Sequence, residues 1–161
     1  MKNKYFLIIS FTLIIFTSAC TGYKPIFNSS SLMLEIKNHT IEGDKKLGER
    51  MYLKLSNLFK SKNEVGKKNI ELSINISKNK TSSAKDKAGK ILEYKISLNT
   101  IINVKNYDTG KKIFVKNFSN SLNYKVQSEY SKSISAENKI VDNLINQTYQ
   151  EFLITLIKSI N

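Results

Sequence analysis

Ile70-Glu71-Leu72-Ser73-Ile74-Asn75-Ile76-Ser77 alternates one apolar with one polar residue without a break. That is the two-residue period of a strand with one face in a core and the other in water. The period returns in Leu92, Tyr94, Ile96, Leu98, Ile102 and Val104, set against Glu93, Lys95, Ser97, Asn99, Asn103 and Lys105. This second run leads into Tyr107-Asp108-Thr109-Gly110-Lys111, a hairpin loop in which Gly110 is available for the left-handed position. The returning strand carries Phe114, Phe118, Leu122 and Tyr124 on one face. Strands that are apolar on one side only predict an antiparallel sheet covered on a single face.

Working outward, Leu32, Leu34 and Ile36 alternate with Met33, Glu35 and Lys37 and predict a first strand. Gly43-Asp44 then opens a helix with Asp44 as N-cap. Leu47, Met51, Leu55, Leu58 and Phe59 lie on one face of it, Lys45, Lys46, Glu49 and Lys60 lie off that face, and Gly66 lies past its end. The chain closes with a long helix predicted from Ser131 to Ser159. Ile140, Leu144, Phe152 and Leu156 mark its buried stripe, flanked by Val141, Ile145, Tyr149, Leu153 and Ile160. The order β-α-β-β-β-α predicts an α+β fold, a two-layer sandwich with a four-stranded, mostly antiparallel sheet and two helices on one face. Residues 32–161, about 130 in number, suffice for one domain that buries about two-thirds of its unfolded surface.

The N-terminus reads differently. Lys2 and Lys4 precede a 12-residue apolar stretch, Tyr5 to Phe16, broken only by Ser10 and Thr12. A spanning helix needs about 20 apolar residues, so residues 1–19 are expected to be a cleaved signal peptide. Thr17-Ser18-Ala19-Cys20 places small residues before the only cysteine of the chain. A lone cysteine has no intramolecular disulfide partner, and at a cleavage site its expected fate is acylation, palmitate included. Each buried methylene contributes about 0.8 kcal/mol, so the three chains of a lipoprotein cysteine anchor it essentially permanently. Thr21, in place of an aspartate, favours the outer membrane. Residues 20–31 contain the only proline, Pro25, and end in Asn28-Ser29-Ser30-Ser31; they read as the lipidated cysteine and its tether.

The chain carries a formal net charge of +13, and +11 without Lys2 and Lys4. Of its 26 basic residues only Arg50 is an arginine, a bias that codon usage produces as readily as selection does. A secreted, basic lipoprotein meets phosphorylated lipid rather than nucleic acid. Catalytic groups are poorly supplied. His39 is the sole histidine, so neither a His–His metal pair nor a Cys–His dyad is expected. No Gly-x-Ser-x-Gly turn and no phosphate-cradling glycine loop is present. The chain reads as a non-enzymatic binding or assembly protein without a cofactor. Its sharpest candidate surface is the segment from Lys78 to Lys90, read as a loop between two strands, with five lysines against Asp86 alone. Lysine is a competent point-charge ligand for phosphate, and Lys80, Lys85 and Lys87 are the candidate ligands. Lys111, Lys112 and Lys116 form a second, weaker cluster; Tyr107, Phe114, Phe118 and Tyr124 could interleave with these lysines, but aromatics at strand spacing are more often core or sheet surface.

Taken together, these features resemble the LptE family of lipopolysaccharide-assembly lipoproteins in its alphaproteobacterial form. Cys20-Thr21-Gly22-Tyr23-Lys24-Pro25-Ile26-Phe27 resembles the family's opening of cysteine, glycine, aromatic, any residue, proline, leucine and aromatic, with Thr21 inserted. Asn123-Tyr124, Tyr130-Ser131 and Ala136-Glu137-Asn138 resemble its tyrosine-bearing strand end and the start of its last helix. The β-α-β-β-β-α order is also similar. The resemblance implies an outer-membrane lipoprotein on the periplasmic side that plugs the β-barrel LptD, assists its assembly and binds lipopolysaccharide in transit. The alternative is another periplasmic lipoprotein, acting as a pilotin-like chaperone or an envelope structural protein.

Overall fold

A computed structural model describes residues 34–59 and 67–160. Cys20, its tether, Leu32 and Gly66 lie outside the described residues. The elements run β1 (Leu34–Gly43), α1 (Lys45–Phe59), β2 (Lys68–Lys85), β3 (Ile91–Asn106), β4 (Lys112–Lys125) and α2 (Tyr130–Ile160). The four strands form one sheet in the order β1-β2-β3-β4. β2, β3 and β4 pair antiparallel, as their one-sided apolar pattern requires, whereas β1 pairs parallel to β2 because α1 carries the chain back between them. Both helices pack on one face, α1 over β1 and β2 and α2 over β3 and β4. The predicted two-layer α+β architecture is the observed one.

β1 keeps the predicted inward face at Leu34 and Ile36 but departs from its prediction in length. It runs on to Gly43, and its register against β2 shifts between Ile36 and Asn38, leaving Lys37 as an extra residue. Such a bulge reverses the parity of everything after it. Ile36 pairs with Ile70 before the shift, and His39 pairs with Leu72 after it. His39 therefore lies within the strand, and its ring stacks on Tyr52 of α1 with centroids 3.8 Å apart.

At Gly43 the chain turns into α1 with φ +77°, and an added Cβ would sit 2.2 Å from the Ile76 carbonyl oxygen. Asp44 is the expected N-cap: its Oδ1 accepts from the Leu47 amide at 3.1 Å, while its own amide donates to the Ile76 carbonyl at 2.8 Å. The helix then tolerates Gly48, a poor helix former, because a Cβ there would lie 2.3 Å from Ile41 Cγ2.

The core is the apolar parity of the strands meeting the helix stripes. Ile70, Leu72, Ile74 and Ile76 of β2 and Ile96, Leu98, Ile102 and Val104 of β3 are buried, under Met51 and Leu55 of α1 and Leu144, Ile145, Phe152 and Leu156 of α2. Phe152 meets Phe114 edge-on at 5.7 Å and Phe118 at 6.5 Å. Each fully buried side chain of this kind contributes about 1.5–3 kcal/mol. Arg50 of α1 and Asp142 of α2 form an ion pair that joins the helices. The opposite face of the sheet stays open, with Glu71, Ser73, Asn103 and Lys105 around a shallow depression of about 110 Å³.

Candidate functional site

Lys78 to Lys85, the first eight residues of the segment read as a loop, are strand. β2, β3 and β4 continue as a three-stranded ribbon past the end of β1, whose last residue, Gly43, sits opposite Ile76. The correction has a physical cause. Beyond Ile76 the residues are polar on both faces, so no apolar alternation marks the strand, and it is held by backbone pairing with β3 instead. Only Asp86 to Lys90 turn. Asp86, the lone acid of the segment, organises that turn: its Oδ1 accepts from the amides of Ala88 and Lys90, both at 2.9 Å.

Strand parity decides where the lysines go. Ile70 to Ile76 face the helices at even positions, so Lys78 and Lys80 continue the same face under the N-terminal turns of α2. There they meet Glu137. Lys80 Nζ donates to Glu137 Oε2 at 2.6 Å, Lys78 Nζ donates to Oε1 at 3.2 Å, and the Tyr124 hydroxyl donates to Oε2 at 3.0 Å. Lys80 Nζ also stands 4.2 Å from the Tyr94 ring centroid and 5.6 Å from that of Tyr124, within cation–π range. The two tyrosines, paired across β3 and β4, stack at 5.8 Å.

The electrostatics follow from this crowding. Burial pushes the Glu137 carboxyl up, but the hydrogen bonds from Lys80, Tyr124 and Lys78 outweigh it and leave the group below its ordinary value. The bond to Glu137 holds the Lys80 ammonium well above its ordinary value. Burial, first of all, raises the Tyr124 phenol. About a third of the Lys78 and Lys80 side chains is exposed, at 34 % and 35 %, against 13 % for Glu137. The lysines thus stand toward solvent and the carboxylate behind them.

Beside Lys80 opens a groove of about 350 Å³, with Tyr94, Tyr124, Val126, Tyr130 and Ile134 among its walls. Tyr130, at the first position of α2, is 81 % exposed, and Val126, Ile134 and the neighbouring Leu92 are also exposed apolar side chains. An ammonium pair beside open apolar surface is the arrangement that suits an amphiphile with an anionic head.

No protein-family model and no curated protein matches the sequence. Solved structures do match in fold. A protein classed as a lipoprotein from Caulobacter crescentus CB15 superposes with a TM-score of 0.55 at 12% identity, over 80% of this chain and 90% of that one. Lipoprotein B from Nitrosomonas europaea gives 0.54 at 11% identity, over 83% and 88%. Rare lipoprotein B from Shewanella oneidensis gives 0.50 at 17% identity, over 76% and 95%. The fold is shared with these proteins.

Of the three lysines singled out from sequence, Lys80 is in this cluster, while Lys85 closes β2 and Lys87 lies in the Asp86 turn, both exposed at the ribbon tip. Lys78, Glu137 and Tyr94 were missed as site residues. The signal was present, because Ile76, Lys78 and Lys80 share one parity. Three of the four aromatics beside the second lysine cluster take the core place that their strand spacing favours. Phe114, Phe118 and Tyr124 are buried on the helix-covered side, and Tyr107 alone of the four aromatics is exposed. Among the described residues no group of three or more His, Cys, Asp or Glu side chains is placed to hold a metal ion.

Proposed function

We propose that this chain is an outer-membrane lipoprotein, anchored through Cys20, that plugs and helps assemble the LptD β-barrel and binds lipopolysaccharide on its way to the outer leaflet. The observation that carries this reading is Lys80 on the wall of an exposed aromatic and aliphatic groove, with Lys78 beside it on the same Glu137 carboxylate. It provides cationic donors for the phosphates of lipid A and apolar surface for its body. The open polar face of the sheet supports the barrel partnership, since the lumen of such a barrel is itself polar. The fold relatives that carry the name lipoprotein agree with an envelope role.

Affinity purification of the protein in mild detergent tests the partnership. The expected result is co-recovery of a large outer-membrane β-barrel and, on depletion of the protein, loss of surface lipopolysaccharide. Recovery of the protein alone, or with an inner-membrane complex, overturns the reading, and a secretin or cell-wall defect on depletion favours the chaperone or structural role. Lys85→Glu combined with Lys87→Glu is expected to weaken lipopolysaccharide binding several-fold at low salt, with the difference closing by about 1 M salt as charge is screened. Unchanged binding at low salt removes the ribbon tip from the site.

A further inference from the structure

Two lysines that share one carboxylate take an anion only in competition with it. Glu137 accepts one bond from each ammonium group, at 3.2 Å and 2.6 Å, and the Tyr124 hydroxyl pins the same carboxylate at 3.0 Å. A phosphate that enters from the groove meets the more exposed lysines first and competes with Glu137 for their N–H donors and their charge. Both lysines are about one-third exposed, so solvent screening weakens their hold on Glu137 and leaves the pairing open to competition. A phosphate offers enough acceptor oxygens to engage both lysines together. The displaced carboxylate keeps its bond from Tyr124 and stays in place to reclaim the lysines.

Resting on the lipopolysaccharide reading above, we propose that Glu137 is a built-in counter-ion: it holds Lys78 and Lys80 in the empty protein, is exchanged for the phosphate of an anionic amphiphile, and sets how readily that ligand leaves. The cluster carries a net single positive charge with Glu137 ionised and would carry two without it. The carboxylate thus lowers affinity for phosphate and gives the vacated lysines somewhere to return. A protein that passes a lipid onward requires weak, reversible capture, and a competing internal anion supplies it. The idea separates cleanly from a purely structural ion pair. If Glu137 merely orders the lysines, its removal weakens ligand binding; if it competes with the ligand, its removal strengthens it.

The test compares the full lipoprotein with its Glu137→Gln variant, using lipopolysaccharide that bears its lipid A phosphates, the same material after enzymatic dephosphorylation, and inorganic phosphate alone. Glutamine keeps an acceptor for Tyr124 and removes the charge. The expected result is about tenfold tighter binding of the phosphorylated lipid, the scale of one removed like charge at a partly screened site, with slower release and no change for the dephosphorylated lipid. Glu137→Asp, one methylene shorter and still charged, serves where the glutamine variant melts; its carboxylate spans the two lysines less well, and a smaller gain is expected. Wild-type binding with equal or weaker binding by both variants overturns the counter-ion role and leaves the lipopolysaccharide reading intact. Failure of the wild type to bind phosphorylated lipid overturns both. An equal gain with inorganic phosphate makes the ligand a free anion and overturns the amphiphile.

Discussion

A carboxylate that accepts from two lysines and a tyrosine ties stability to acidity. Glu137 titrates below 4.5 in the folded chain and near 4.5 once unfolded, so the folded state binds fewer protons through that interval. The stabilisation it provides is complete above pH 4.5 and is lost as pH falls through the depressed folded value. Melting temperatures of wild type and Glu137→Gln, taken from pH 7 down to pH 3, check this. The wild type is expected to melt higher at pH 7, and the gap should close below pH 4.5; a constant gap shows that the carboxylate charge contributes nothing. At this scale the sequence was partly legible. Asp44 declared itself as a cap because a cap needs only its local context, whereas Glu137 belongs to a site through residues 57 and 59 positions away, Lys80 and Lys78.

Among the elements, α2 carries the greatest share of the cover. It packs on β4 and β3 and sets Phe152 against both Phe114 and Phe118. Phe152→Ala is expected to cost about 3–5 kcal/mol, the usual loss for a buried phenylalanine with a cavity left behind. Chemical denaturation checks it, with a lowered midpoint at unchanged slope. A loss below 1 kcal/mol shows that the aromatic contact is not part of the cooperative core. The helices and the cores of β2, β3 and β4 could be read directly because burial on one face imprints a period. That imprint fails in two places. At Lys37 an inserted residue reverses the parity, and past Ile76 neither face of β2 carries an apolar core residue, although Ile96 and Leu98 opposite it on β3 are buried. A strand whose helix-facing side chains are lysines bonded to a distant glutamate looks, by composition, like a solvated loop.

At the scale of the whole molecule, the proposed anchor and the described core are far apart in sequence. Among the described residues every buried apolar side chain of the core falls between Leu34 and Leu156, and Cys20 lies well before the first of them. Cys20→Ala is therefore expected to abolish incorporation of labelled fatty acid and leave the thermal melt within 1 °C of wild type. A large fall in melting temperature would mean that the N-terminal segment contributes to the core. The architecture emerged from the sequence at this scale because β-α-β-β-β-α with one-sided strands leaves few ways to arrange two layers.

Among the described residues β1 is an outer strand of the sheet, and a straight edge of that kind lets identical chains zip together into larger aggregates. The misfit residue at Lys37 interrupts that edge and puts a charge at the break. Copies crowded side by side thus find no unbroken row of hydrogen-bonding groups along β1, which disfavours self-assembly through this edge.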